Sequence, residues 1–316
     1  MSQESSSVLG IDISKEWIDA HLLPGEKSWK ISTASDPLQQ WVDHLPAGIT
    51  LAVMEASGGL EMPIAATLSK AGIPVAIMNP RQIRAFATAL GQHAKTDALD
   101  AKVIARFGEL IRPIPRPLPT ETRAFLDELV TRRRQLIETS VAEQNRLSTM
   151  RSIQTRQSIE THLLWLKSQV KEIEKQLEDL IKKSPSWMVD KKLLTSVPGV
   201  GPITSSIMLA ALPELGRLSH REISSLVGLA PMPRESGKWL GKRFIRGGRA
   251  NVRSAIYMCI VSAIRFNPVI KAFYIRLLAH GKEKKVAMVA CMHKMLIILN
   301  SIIRDQKPWH FNPIPS

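Results

Sequence analysis

Only two cysteines, Cys259 and Cys291, occur in the 316 residues. Two thiols build neither a disulfide framework nor a four-ligand zinc centre, so a reducing cytosol is the expected compartment. The eight histidines are scattered without metal-ligand spacing. No basic-then-apolar leader opens the chain; residues 1–7 are a short polar lead, and no secretory signal is read there. Long unbroken apolar runs are lacking too. The most apolar late segment, residues 286–303, is interrupted by His293, Lys294 and Asn300, which predicts a buried helix and no membrane partner. Acidic charge is outweighed by basic charge after residue 112. Residues 1–112 carry ten Lys+Arg and twelve Asp+Glu, a net of −2, whereas the remainder carries 33 basic and 16 acidic residues, a net of +17. A near-neutral first part joined to a strongly basic second part predicts a polyanion as partner. The length suits two domains with a helical spacer.

Residues 8–13 form a short apolar strand with Asp12 as its one carboxylate. Residues 17–23 and 28–32 continue it as a meander through Pro24-Gly25, and 51–54 is a further buried strand ending at Glu55. After the Ser57-Gly58-Gly59 break, 61–70 reads as a helix closed by Gly72. Residues 73–78 then read as a strand stopped by Asn79-Pro80, and 81–90 as a helix. Farther on, Thr96 can cap a helix whose first turn holds Asp97, and Asp97 and Asp100 share a helical face. An Asp-x-x-Asp by itself is an ordinary solvated helix start. Asp12 and Glu55 change that reading, because each lies in or at the end of a buried strand. Like charges gather in a core only with a counter-charge, and a divalent metal is the simplest one. The expected fold is α/β and RNase H-like (RuvC-like), with Asp12, Glu55, Asp97 and Asp100 converging on two Mg²⁺ ions roughly 4 Å apart for phosphodiester chemistry.

Prolines at 113, 115, 117 and 119 mark an extended linker. The chain is therefore divided into a RuvC-like DEDD domain (1–112), a Pro-rich linker with a long helical coiled-coil region (113–186), and a mainly α domain (187–316). In the middle region Leu163, Leu166, Val170, Ile173, Leu177 and Leu180 follow a three-four spacing closed by Ser184-Pro185. Such a seam suits an antiparallel hairpin, a dimer contact, or a helix covering a core. The run Val197-Pro198-Gly199-Val200-Gly201-Pro202 between two helical stretches is the hairpin of a helix-hairpin-helix element. Gly199 and Gly201 there let backbone N–H groups approach a duplex phosphate, although such hairpins also serve as plain turns between packed helices. The stretch from residue 228 to 253 is glycine-rich and basic: between Arg234 and Arg253, Arg234, Lys238, Lys242, Arg243, Arg246, Arg249 and Arg253 stand against the single acid Glu235. This reads as a loop held against phosphates, with Trp239 and Phe244 available to stack on bases. Ser236 by itself reads as a turn residue before a glycine.

Seven motifs then occur in order: Gly10-Ile11-Asp12, Met54-Glu55-Ala56-Ser57-Gly58, Asn79-Pro80, Lys95-Thr96-Asp97 with Asp100-Ala101, Val197-Pro198-Gly199-Val200-Gly201, Gly228-Leu229-Ala230-Pro231 and Glu235-Ser236-Gly237. Together they resemble the insertion-sequence transposases that join an N-terminal RuvC-like DEDD domain to a C-terminal serine-bearing transposase domain. Pilin-gene invertases and bridge-RNA-guided recombinases belong to that group. The resemblance covers nearly the whole chain, and its specificity lies in the order of the motifs. It implies that Asp12, Glu55, Asp97 and Asp100 bind Mg²⁺ and that Ser236 is the nucleophile. A serine hydroxyl is a poor nucleophile at neutral pH and needs a base, a metal or an electropositive surround. Attack on the scissile phosphate would give a phosphoserine linkage that keeps the bond energy for religation. The resemblance further implies donor and target double-stranded DNA, a non-coding guide RNA, and an active site composed of domains from different subunits. It also implies a homo-oligomer, expected as a tetramer, at the bacterial nucleoid. Relatives often carry Thr and an aromatic where Ser57 and Leu60 stand here. Two other classes share part of the pattern. A Mg²⁺-dependent DEDD nuclease of the Holliday-junction resolvase type would not need Ser236, and a non-catalytic nucleic-acid-binding protein would keep the acids as structural groups.

Overall fold

The computed structural model describes residues 7–92, 97–115, 117–233, 235–236, 239–241 and 243–310, in two units, 1–119 and 120–316. In the first unit β1 (Ser7–Ile13), β2 (Trp17–Leu23) and β3 (Lys27–Ser32) form an antiparallel meander. The strands β4 (Ile49–Glu55) and β5 (Val75–Met78) run parallel to β1, and the spatial order is β3-β2-β1-β4-β5. Parallel neighbours need crossovers. These are α1 (Ser35–Asp43) and α2 (Glu61–Lys70), with α3 (Pro80–Ala89) and α4 (Asp97–Ile111) following β5. This mixed sheet fits the RNase H-like plan. Helix α1 was not legible in the residue pattern. It has only nine residues, and what holds it is tertiary: Leu38, Trp41 and Val42 are buried, and Trp41 meets Trp29 edge-on at 6.1 Å between centroids.

Strand alternation sorts the two faces of the sheet. Leu9, Ile11, Ile13, Ala52, Met54 and Val75 pack with Leu38, Trp41, Ile64 and Leu68 of α1 and α2. Val8, Leu51, Val53 and Ala76 face the other way, onto Ile83 of α3 and Val103, Ile104 and Phe107 of α4. Burial on both faces is why β1 and β4 read as continuous apolar runs. Helix α4 lies directly on the backbone of β1: a Cβ at Gly10 would stand 2.2 Å from the Ala105 nitrogen and 2.3 Å from the Ala101 oxygen. Farther along α4, a Cβ at Gly108 would stand 2.6 Å from a Val8 methyl. Val8 precedes Gly10 while Gly108 follows Ala105, so α4 runs antiparallel to β1. Its first turn therefore lies towards the C-terminal ends of β1 and β4.

Next to Gly10, on β2, His21 is buried with Nδ1 2.8 Å from Ser28 Oγ and Nε2 3.5 Å from Glu26 Oε2. The same Glu26 oxygen takes the Lys102 ammonium of α4 at 2.5 Å. Burial pushes the His21 pKa below its ordinary value; Glu26 offsets part of this and Lys102 adds to it. With the folded pKa lowered, the unfolded chain binds more protons in that window, so stability rises with pH there. The contribution is present above the unfolded value of about 6.5 and is lost as pH falls from there towards the folded value. Urea unfolding followed by tryptophan fluorescence is therefore expected to show a lower midpoint at pH 5.5 than at pH 7.5. In His21→Gln that difference shrinks; an unchanged difference would assign it to other groups.

The second unit is mainly helical: α5 (Glu121–Thr149), α6 (Ile153–Lys182), α7 (Pro185–Thr195), α8 (Pro202–Ala211), α9 (His220–Val227), α10 (Ala250–Phe266), α11 (Pro268–Ala279) and α12 (Lys284–Asp305). Two short strands, β6 (Glu235–Ser236) and β7 (Trp239–Leu240), lie between α9 and α10. The three-four seam of α6 packs within the chain. Leu166 and Val170 meet Leu136 of α5, while Leu177 and Ile181 join Leu126, Leu129 and Val130 in the common helical core. Across the pair, Glu174 Oε1 accepts from Arg133 Nε at 2.8 Å and Nη2 at 2.6 Å. Helix α12 is long and apolar enough to cross a membrane, yet Cys291, Met295, Leu296 and Leu299 are buried in that core. Its buried Asn300 donates to Leu218 O at 2.9 Å and accepts from Gly216 N at 2.8 Å, which is the setting of a core helix.

Candidate functional site

Register decides which carboxylates meet. Ile11 of β1 stands beside Met54 of β4, so the next residues, Asp12 and Glu55, are neighbours at the C-terminal ends of two parallel strands. Both are half-buried. By alternation with Val8, Gly10 and Val53 they occupy the face that α3 and α4 cover. Glu55 also lies beside Met78 of β5. Helix α4 begins at Asp97, carries half-buried Asp100 in its first turn, and reaches Gly10 at Ala101. The bare Cα of Gly10 thus lets that first turn close over the strand end that holds Asp12. Residues 93–96, including Thr96, and the Asp97 side chain lie outside the described residues. Among the described residues no three His, Cys, Asp or Glu groups stand together as a metal site. The donor set is nevertheless right for a hard divalent cation: it is carboxylate only, the chemistry that suits Mg²⁺ or Mn²⁺ and not zinc or copper. Two of its members are adjacent like charges that such a cation would offset.

The second cluster surrounds Ser236. Within the basic stretch the described residues pair as two short antiparallel strands on a fixed base, where a loop held against phosphates was expected. Ser236 pairs with Trp239 in β6–β7, and Met232 N donates to Phe244 O at 2.9 Å. At the base, a Cβ on Gly228 (φ 75°) would lie 2.2 Å from Gly247 O, so only glycine fits there. Arg249 N donates to Leu226 O at 3.1 Å, and Arg253 Nη1 donates to Val227 O at 2.9 Å and also to Gly247 O. Arg249 forks Glu214 at 2.6 and 2.7 Å and donates to Ala211 O at 2.9 Å. Arg249 and Arg253, read from the sequence as phosphate contacts, are thus committed inside the fold. The reason was invisible locally, since Glu214 lies 35 residues upstream of Arg249. Arg243, Arg246 and Phe244 are exposed. Arg234, Lys238 and Lys242 lie outside the described residues, as do the side chains of Ser236 and Trp239.

In the turn between α7 and α8, Gly199 (φ 101°) is turned into the fold, where a Cβ would come within 2.7 Å of the Ala263 Cβ on α10. Pro198 O accepts from the buried Asn267 amide at 3.2 Å. Packing accounts for Gly199. Gly201, at the start of α8, has open space beside it. The sequence reading missed Arg123, which is half-buried and donates to Leu209 O at 2.6 Å. With Arg249 it covers the last carbonyls of α8, where cations are favoured. Burial pushes the neighbouring Asp127 carboxyl up, and Arg123 draws it partly back.

Two family models match the chain. Residues 9–151, from β1 to the end of α5, match a DEDD transposase model of the IS110 type, and residues 191–275 match the model described as Transposase IS116/IS110/IS902 family. The chain belongs to this transposase family. It is accordingly a DNA transposase or site-specific recombinase. The first match contains all four carboxylates and the second contains Ser236 and its hairpin. The transposase is also 27% identical to the pilin gene-inverting protein of Moraxella lacunata, over 96% of this chain and 98% of that one. The corresponding protein of Moraxella bovis is 28% identical over the same shares. A mini-circle putative transposase for IS117 from Streptomyces coelicolor is 24% identical over 85% of this chain and 58% of its own.

Proposed function

We propose that the transposase cuts and rejoins DNA strands of a mobile element through a phosphoserine at Ser236, assisted by Mg²⁺ held by Asp12, Glu55, Asp97 and Asp100. The observation that carries this is the placement of Asp12 beside Glu55 at two parallel strand ends, under the first turn of α4. Bound there, a divalent cation would offset charge on a scissile phosphate and activate the attacking or leaving oxygen. In the covalent step the Ser236 oxygen bonds to phosphorus, one P–O ester bond breaks, and the serine proton ends on the departing strand's hydroxyl. Reversal with a different strand's hydroxyl rejoins DNA and returns the serine. The energy of one ester is kept in the next, so no nucleotide cofactor is needed. The acids and the serine belong to different units, and the reading has both contribute to one reaction in a homo-oligomer, a tetramer by the family resemblance. The same resemblance supplies the guide RNA, and the +17 net charge beyond residue 112 suits DNA and RNA alike. The helix-hairpin-helix reading of 197–202 would add a duplex-backbone contact through Gly201.

The test is to incubate the protein with Mg²⁺, labelled element-end DNA and RNA transcribed from the element's flanking non-coding region, beside Ser236→Ala. A protein–DNA adduct on a denaturing gel that needs Mg²⁺, RNA and Ser236 is the expected result. EDTA removes the adduct but not all DNA affinity, because Lys and Arg contacts survive metal loss. Free cleaved ends that persist in Ser236→Ala would mean a DEDD nuclease instead.

A further inference from the structure

We propose that Trp17 and Lys30 form a nucleotide-binding platform beside the acid set, on which a base next to the scissile phosphate stacks while Lys30 meets its backbone. The inference rests on the reading of Asp12 and Glu55 as the cleavage site. The sheet register supports it. Asp12 of β1 pairs with Asp19 of β2, and Asp19 pairs with Lys30 of β3, so all three share the face that Gly10 presents to α4. Trp17 is two residues before Asp19 and therefore on the same face, diagonal to Asp12. Diagonal positions across antiparallel strands lie roughly 7–8 Å apart, within reach of an aromatic side chain. One row back, the face is covered: Gly10 lies under Ala101 and Ala105, and His21 is buried near Lys102 of α4. In the next row Trp17 is 45% exposed.

An indole at that exposure, with an ammonium 5.7 Å from its centroid, has the two features that single-strand readers use: a π-face and an adjacent cation. Lys30 is itself exposed. The occupant we commit to is a nucleobase and not a protein surface, because the neighbours of Trp17 on this face are polar and charged: Asp19, Lys30 and Ser32. Any strand whose phosphate is cut at Asp12 and Glu55 must pass a flanking nucleotide close to this row.

The experiment places 2-aminopurine at each position flanking the scissile phosphate of element-end DNA and adds full-length protein, the RNA transcribed from the element's flanking non-coding region, and Ca²⁺ to hold back turnover. Quenching at one position with wild type is expected, lost in Trp17→Ala and restored in Trp17→Phe. Under Mg²⁺, KM for cleavage rises about tenfold or more in Trp17→Ala, the size of one lost base–aromatic stack. Lys30→Gln is expected to lower the salt slope of binding by about one. Quenching and KM unchanged in Trp17→Ala would overturn the platform. So would an altered oligomer mass with quenching intact, which assigns the patch to a protein contact. Asp12→Asn separates the two claims: it should keep the quenching and lose cleavage. If it cleaves normally, the acid-set reading fails while the quenching still reports on Trp17.

Discussion

Asp12→Asn is expected to lower strand cleavage by about three powers of ten, roughly 4 kcal/mol of transition-state stabilisation, while leaving the melting temperature unchanged or raised. The two readouts move in opposite directions for a physical reason. The substitution keeps the volume of the side chain and removes one of two like charges set side by side at the ends of β1 and β4. Removing such a charge relieves repulsion in the metal-free protein. The same charge is a hard oxygen donor that an amide replaces poorly, so the cation that would neutralise the scissile phosphate is held more weakly. Glu55→Gln should behave alike, and DNA affinity should survive in both because the basic residues lie elsewhere. Single-turnover cleavage and thermal melting on the same preparations check this. A variant that cleaves at the wild-type rate and melts higher makes the acids structural and removes the basis for a metal-assisted reaction.

Gly10→Ala should be the most damaging small substitution in the first unit. Its added carbon would stand 2.2 and 2.3 Å from backbone atoms of α4, and backbone in mid-helix cannot rotate away as a side chain can. Overpacking of this kind costs about 3 kcal/mol or more. Gly108→Ala is the internal comparison, since its nearest atoms are methyl carbons of Val8 and Val53 at 2.6 and 2.8 Å, which can shift; about 1 kcal/mol is expected. Part of the strain at Gly10 is relieved by lifting the start of α4, which moves Asp97 and Asp100 away from Asp12. Cleavage should therefore fall further in Gly10→Ala than stability alone predicts. Urea midpoints and cleavage rates of the two variants settle the comparison: equal losses, or a Gly10→Ala that folds and cleaves normally, would show that α4 does not depend on this contact.

Residue pattern was sufficient for whatever rests on local geometry. The apolar runs around Asp12 and Glu55 specify buried strands because alternation and β-propensity act over a few residues. The helices over 61–70 and 202–211 are bounded by nearby Gly72, Gly201 and Pro202, which act within one turn. The charge division at residue 112 is likewise a property of composition. Helix α9 shows where that logic was available and unused: Ser219 and Glu222 form a reciprocal capping box and Gly228 ends the helix in the left-handed region. What depends on partners far away in sequence could not be read in advance. Arg249 and Gly199 look like phosphate contacts until Glu214 and Ala263 arrive beside them. The pairing of Ile11 with Met54, which makes Asp12 and Glu55 neighbours, joins residues more than forty positions apart. Strand register is chosen by the two packed faces of the whole sheet, since a slip of one residue would exchange the side chains that meet α1 and α2 with those that meet α3 and α4. The carboxylates were visible as residue types; their meeting at one end of the sheet is a consequence of tertiary packing.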